Sequence, residues 1–223
     1  MTPDDQFWWT WWVRLAQAVF TLLAVIVALG GERLKRLWFK PDLHLEFESP
    51  VGETTRVGVR PPGGGPRQDA AARYYHVRLS NRARWWQATH AQVLLLRVME
   101  AGPGGTLQTT WSGEIPVSWA WAPLYPPQRT VGPDARCDLC SVVEGSGLYV
   151  HLAAEAAAFD AFRHRPISQP VDMTLVLQAR ANEGDSEITA FQISWDGNWE
   201  AGAAEMARHI VIQKVARYNG GSR

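Results

Sequence analysis

The chain opens on one continuous apolar stretch and then changes to short alternations of apolar and polar residues. The stretch FWWTWWVRLAQAVFTLLAVIVALGG occupies residues 7–31. A bilayer hydrocarbon core of about 30 Å needs about 20 residues of α-helix, which rises by about 1.5 Å per residue. The pattern therefore predicts a transmembrane helix over 7–31 that follows a short tail, residues 1–6.

Tryptophans and basic side chains are concentrated at the two ends of this predicted helix. The residues predicted to lie at the membrane interface are Trp8, Trp9, Trp11, Trp12, Arg33, Lys35, Arg36 and Lys40. Tryptophans at a helix end are typical of an aromatic belt at the headgroups, and basic residues favour the cytoplasmic side. The acidic start and the basic juxtamembrane segment, 32–40, therefore predict an N-terminus outside and a C-terminal domain in the cytoplasm.

A cleaved signal peptide is the alternative interpretation of the apolar stretch, with Ala28-Leu29-Gly30 as a cleavage site. The acidic residues before the stretch and the basic residues after it favour a retained anchor.

The composition, which is rich in Ala, Arg, Gly and Pro and has few Lys, suggests a bacterium whose genome has a high GC content. The predicted location is therefore the bacterial inner membrane. The spacing of Ala24 and Ala28 suits helix association, which adds a homo-oligomer to the expectations.

After Pro41 the apolar residues recur at every second position, which is the pattern of half-buried β-strands. The clearest alternations are Leu43–Glu48, Tyr75–Ser80, Val117–Trp121, Val171–Gln178 and Phe191–Asp196. Further predicted strands are Ala91–Glu100, Arg136–Val143, Leu148–Leu152 and His209–Val215. Clusters of Gly and Pro separate them, as expected of turns. The pattern predicts one mostly β domain over 41–216, before a tail, 217–223.

Two short helices are predicted inside this domain, over Ala153–Arg163 and Glu200–Arg208. The remaining elements are strands that alternate as antiparallel strands do, so the predicted fold is a two-sheet β-sandwich. Four tryptophans at alternating strand positions are expected in its core: Trp111, Trp119, Trp121 and Trp195. Trp199 is expected to cover an open end of the sandwich.

The order of strands and loops resembles that of prokaryotic immunoglobulin-like and C2-like sandwich domains. The run YYHVRLSNRARWWQATHAQVLLL has the form of a strand, an Asn-initiated loop and a second strand. The segments PVDMTLVLQARAN and EITAFQISW are similar to the closing hairpin of such domains. The resemblance covers most of 41–215 and implies the fold class. It also implies an adhesion, sensing or docking role, and it implies no particular activity.

Charge and motifs narrow the function classes further. The chain has 22 Lys+Arg and 22 Asp+Glu, and this balance argues against a nucleic-acid partner. The sequence has no nucleophile elbow, metalloprotease motif, P-loop or dinucleotide fingerprint, so we predict no catalytic residues and no cofactor. Among the six His, His44 and His76 lie on the polar side of their strands and are expected to face solvent.

Cys137 and Cys140 form the one CxxC pair of the chain. A zinc site needs further ligands at chelating distance. On a regular strand, positions i and i+3 face opposite sides. The pattern therefore predicts two structural cysteines that point apart, and no metal site.

One loop has the composition of an interface. Arg82, Arg84, Trp85 and Trp86 lie between two predicted strands, and exposed Trp beside Arg is typical of binding hot spots. The alternatives are a loop that caps the core and a platform that stacks a ligand.

The function expected from the sequence is a membrane-anchored, non-enzymatic protein-docking domain whose partners are the bilayer and a protein. An extracytoplasmic ligand- or glycan-sensing sandwich is the first alternative, and a membrane-bound hydrolase or metal enzyme is the second.

Overall fold

The structure is a computed structural model, and it describes residues 3–38, 40–59, 66–83, 86–102, 105–121, 128–153 and 166–215. The chain divides into two compact units, Met1–Lys40 and Pro41–Arg223. Among the described residues, the first unit contains one helix and the second is mostly β-strand. The prediction of a mostly β chain with one N-terminal apolar helix is therefore confirmed.

Helix α1 runs without interruption over Pro3–Trp38. It begins inside the predicted N-terminal tail and includes most of the basic segment 32–40. Its segment Trp8–Ile26 is 19 residues long and apolar enough to cross a membrane, and none of it is buried inside the protein. The hydroxyl of Thr21 donates to the carbonyl of Gln17 at 2.8 Å, so this polar group within the span has a partner.

The described residues of the second unit form twelve strands and one short helix. The strands are β1 Leu43–Phe47, β2 Glu53–Val59, β3 Gln68–Asn81, β4 Ala88–Ala101, β5 Leu107–Pro116, β6 Arg129–Val131, β7 Asp134–Val143, β8 Gly147–Val150, β9 Val171–Ala181, β10 Gly184–Asp185, β11 Thr189–Trp195 and β12 Ile210–Val215. Helix α2 is Ala203–Met206.

These strands form two antiparallel sheets. The first has the order β1-β3-β7-β8, with β2 also paired to β3. The second has the order β12-β11-β9-β4-β5, with β10 paired to β9 and β6 to β4. Apolar residues from both sheets, among them Tyr75, Leu95, Leu148, Leu175 and Phe191, share one buried cluster. Burial of this apolar area is the main stabilising contribution to the unit.

One irregularity of the first sheet affects the site described below. The register between β3 and β7 shifts between Tyr75 and His76: Tyr75 pairs with Cys140 and Val77 with Cys137. Two residues of β3 thus correspond to three residues of β7, which is the arrangement of a β-bulge. The bulge turns both cysteines to the inner side of the sheet.

Several predicted elements differ from the observed ones. The residues from Val117 to Trp121 form no strand; Val117 and Trp119 make only isolated bridges, to Leu152 and Cys137. The second predicted helix shrinks to the four residues of α2, and the first falls mostly on residues 154–165, outside the described part of the chain. Strands β2, β5, β6 and β10 were not predicted.

Candidate binding pocket

The outer face of the first sheet carries a group of polar side chains centred on β3. Successive side chains of a strand point to opposite sides. Tyr75, Val77 and Leu79 therefore enter the core, whereas Tyr74 and His76 face outward. Strands β1 and β2 pair with one edge of β3 and β7 pairs with the other. Carboxylates of β2 and β7 therefore lie beside His76.

His76 is the most buried member of this group. Only 4% of its surface is exposed, although it lies on the polar side of its strand. Its Nδ1 atom lies 2.9 Å from Oδ1 of Asp138, and its Nε2 atom lies 3.7 Å from Oε2 of Glu53. The first contact is short but poorly directed and the second is too long, so neither ring nitrogen has a hydrogen-bond partner among the described residues. The expectation that His76 faces solvent is therefore wrong.

A pocket of about 210 Å³ opens beside the imidazole of His76. It is lined by Glu53, Thr55, Arg56, Val57, Tyr74, His76, Trp121 and Asp138. The ring of Trp121 lies 6.3 Å from that of His76 at an angle of 40°. Carboxylates, a histidine and two aromatic rings thus line one concave space that is large enough for a small ligand group.

Trp121 does not belong to the core, which corrects its sequence-based assignment. It is 68% exposed, and its backbone φ of 59° lies in the left-handed region that bulky residues rarely adopt. Trp119 and Trp195 are buried as expected, and Trp111 and Trp199 are partly buried against the core. The chain leaves the β geometry after Trp119, so the alternation that assigned Trp121 to the core no longer holds.

An ion-pair network fixes the carboxylate side of the pocket. Arg136 contacts Oε1 of Glu48 at 2.6 Å and Oε1 of Glu53 at 3.1 Å. The second oxygen of Glu53 is the one near His76. The arginine therefore holds Glu53 in place while one oxygen of its carboxylate remains directed toward the pocket.

A second histidine lies near the pocket. The rings of Tyr74 and His151 stack with centroids 4.9 Å apart, and the rings of Tyr74 and His76 are 6.4 Å apart. Nε2 of His151 lies 2.8 Å from the hydroxyl of Ser141. Burial lowers the pKa of His151, against the opposing charge of Asp138. A neutral His151 thus supports the ring of Tyr74 and adds little charge beside the pocket.

The two cysteines lie behind the pocket, in the core. Both are free and completely buried, so the prediction that they point apart is wrong. Burial raises the pKa of both thiols, and the nearby Asp138 raises it further. Buried thiols of raised pKa are poor nucleophiles and poor metal ligands. Among the described residues, no group of three or more His, Cys, Asp or Glu side chains is arranged to hold a metal ion.

The predicted docking loop is described only in part, because Arg84 and Trp85 lie outside the described residues. The side chain of Arg82 is 60% exposed and contacts Glu46 at 3.4 Å. Trp86 is 40% exposed, and its carbonyl accepts a hydrogen bond from Nδ2 of Asn81. Oδ1 of Asn81 accepts from the amide of Ala83 at 3.2 Å. The buried Asn81 side chain therefore holds both ends of the loop.

The predicted membrane-interface residues lie on or directly after α1. Trp8, Trp9, Trp11 and Trp12 are all exposed, and the rings of Trp11 and Trp12 meet edge to face with centroids 5.1 Å apart. Arg33, Lys35 and Arg36 belong to the last turns of α1, and Lys40 follows it as an exposed residue. The aromatic and the basic residues therefore lie at opposite ends of the apolar segment.

Sequence reasoning missed the pocket because its members come from distant parts of the chain. Glu53, His76, Trp121 and Asp138 belong to β2, β3, the segment after β5, and β7. The one local signal was the polar residue Asp138 between apolar neighbours. Comparison with family models, with curated proteins and with solved structures finds no match to this chain.

Proposed function

We propose that this protein is a non-enzymatic docking domain anchored in the inner membrane of a bacterium by α1. The observation that carries the proposal is the exposure of the apolar segment Trp8–Ile26, no part of which is buried in the protein. An apolar helix of this length that has no protein cover is stabilised by lipid. Tethering a domain to the bilayer raises its effective concentration toward membrane partners.

The loop at Arg82 and Trp86 is the proposed docking surface. Two observations support this assignment: the side chains are exposed, and hydrogen bonds from Asn81 fix the backbone beside them. The Asn81 side chain binds the backbone of Ala83 and Trp86, while the side chains of Arg82 and Trp86 are exposed at 60% and 40%. A restrained loop loses little conformational entropy on binding, and Arg and Trp are the residue types enriched in hot spots.

We further propose that the β unit lies on the cytoplasmic side and is an immunoglobulin-like or C2-like sandwich. The basic residues that follow the apolar segment support the orientation. Two antiparallel sheets that enclose one core support the fold type. The topology would place the docking loop where cytoplasmic proteins reach it.

A ligand-sensing domain is the second candidate function. The pocket at His76 favours it, because an exposed indole beside carboxylates is a common platform for a small polar ligand. This candidate needs the pocket, whereas the docking function needs the loop at Arg82 and Trp86. The two functions can therefore be separated by mutation.

Substitutions in the docking loop should abolish partner recovery. We expect the double variant Arg82→Glu and Trp86→Ala to reduce cross-linking of a membrane-associated partner by tenfold or more, since hot-spot losses reach about 2 kcal/mol or more. The measurement is quantitative mass spectrometry after in-cell cross-linking of the full chain. Circular dichroism of the purified variant verifies that the fold is retained.

The matched control changes an exposed arginine and an exposed apolar residue elsewhere, Arg67→Glu and Leu107→Ala. This control should recover the partner at the wild-type level. Equal recovery by the docking variant and the control would refute the assignment of the surface.

A further inference from the structure

The buried imidazole of His76 forms no directed hydrogen bond with the described residues. A buried polar group without a hydrogen bond is costly, and such groups in native proteins require an explanation. His76 is almost completely buried, lines the pocket, and has no directed hydrogen bond to any described residue. A ligand group in the pocket would supply the missing partner.

The polar atoms nearest to the two ring nitrogens of His76 are carboxylate oxygens, which accept hydrogen bonds. Oε2 of Glu53 lies 3.7 Å from Nε2 of His76, a gap that a nitrogen atom about 2.8 Å from both would bridge. A neutral imidazole has one accepting nitrogen, and both carboxylates accept only. Glu53, Asp138 and His76 therefore offer three acceptors, which matches the three N–H donors of a primary ammonium group.

The charge of Asp138 supports the same conclusion. Its side chain is only 16% exposed, and of the described side chains His76 is the one basic group within 4 Å of its carboxylate. A largely buried carboxylate is stabilised by a cation or by several hydrogen bonds. A cationic ligand would supply a full counter-charge to this carboxylate.

Two aromatic rings of the pocket are placed to contact a cationic ligand and its carbon chain. Trp121 is exposed, is held in a left-handed backbone conformation, and lies over the pocket near His76. Unusual backbone conformations are concentrated at ligand sites. An indole face attracts a cation within about 6 Å of its centroid. The stacked ring of Tyr74 provides an apolar wall for the carbon stem that carries the cation.

We propose that the pocket at His76 binds a protonated primary amine, whose ammonium group donates to Glu53, Asp138 and His76 and lies against Trp121. The amine belongs to a free small molecule or to a lysine side chain of another protein. This assignment does not depend on the docking loop or on the membrane topology.

The experiment measures binding of n-butylammonium to the full chain in a nonionic detergent by ligand-detected saturation-transfer NMR. Signals from empty micelles are subtracted. Saturable binding of n-butylammonium at neutral pH is expected, with no binding of butyrate and at least tenfold weaker binding of 1-butanol, since hydrogen bonds to charged groups contribute about 1.5–3 kcal/mol. Equal binding of the alcohol and the ammonium ion, or no saturable binding, would overturn the proposal.

Variants test the individual contacts. We expect Asp138→Asn to weaken n-butylammonium binding about tenfold and Trp121→Ala to weaken it about fivefold. The matched control Asp172→Asn removes a carboxylate on β9, in the second sheet, and should leave binding unchanged. Trp121 is exposed, so its variant tests the pocket even if Asp138→Asn fails to fold. Unchanged binding in Trp121→Ala would contradict the proposed site.

A lysine-containing pentapeptide distinguishes the two sources of the amine. Tighter binding of the peptide than of n-butylammonium assigns the pocket to a protein side chain, and equal or weaker binding assigns it to a free amine. Because the assay uses the purified chain alone, its failure would leave the docking proposal intact. The cross-linking experiment on the docking variant, in turn, does not test the pocket, so either proposal can fail without the other.

Discussion

Replacing Phe191 with alanine is expected to lower the free energy of unfolding by about 3–5 kcal/mol, as is typical of a large aromatic residue removed from a core. Phe191 lies on β11, is fully buried, and belongs to the apolar cluster that both sheets share. The loss combines the transfer free energy of the ring with the cost of the cavity that remains. The measurement is urea-induced unfolding of the full chain in detergent, followed by tryptophan fluorescence.

The control is Val211→Ala on the adjacent strand β12, where the side chain is about half exposed. Its effect should stay below about 1 kcal/mol, the range of intrinsic strand preference. A loss for Phe191→Ala that is no larger than the loss for Val211→Ala would contradict a core shared by the two sheets.

Placing two aspartates in the apolar segment should release the chain from the membrane. Each aspartate near the centre of a transmembrane helix costs about 2.5–3.5 kcal/mol of insertion free energy. We therefore expect Phe20→Asp with Leu23→Asp to shift the protein from the carbonate-resistant membrane pellet to the soluble or degraded fraction. The measurement is immunoblotting of both fractions.

The matched control is Phe20→Ile with Leu23→Ile, which keeps the segment apolar and should remain in the pellet. The intact mass of the wild-type protein should include α1, because a cleaved signal peptide would remove most of it. A doubly acidic variant that still resists carbonate extraction would show that α1 does not anchor the chain.

The strands that the sequence predicted best are those with one buried face. Phe191, Ile193 and Trp195 alternate with polar residues, and β11 indeed lies between β9 and β12 with these residues in the core. Alternation is visible because burial of one face selects apolar residues at every second position. Central strands of this kind can therefore be recognised without knowledge of their partners.

Among the strands that the sequence did not reveal, β2 and β5 lie at sheet edges and bury few side chains. Most residues of β5 are exposed, and β2 has no fully buried residue. Without a buried face, neither strand has a strong alternation of apolar and polar residues. Their positions depend on hydrogen bonds to β4 and β3, which are long-range contacts.

The pocket could not be predicted for a related reason. The burial of His76 depends on neighbours from β2 and β7, and the inward direction of Cys140 depends on one bulge. A bulge shifts every later side chain to the opposite face, and the sequence around Leu139 contains no glycine or proline to mark it. Trp121 was assigned to the core by an alternation that ends two residues earlier.

The orientation of the β unit is the claim on which the proposed docking function most depends. It is tested by fusing two reporters in turn to the C-terminus of the full chain: a fluorescent protein that folds in the cytoplasm, and alkaline phosphatase, which is active only outside it. We predict bright fluorescence and an inactive phosphatase. Active phosphatase with a dark fluorescent fusion would place the β unit outside and contradict the account.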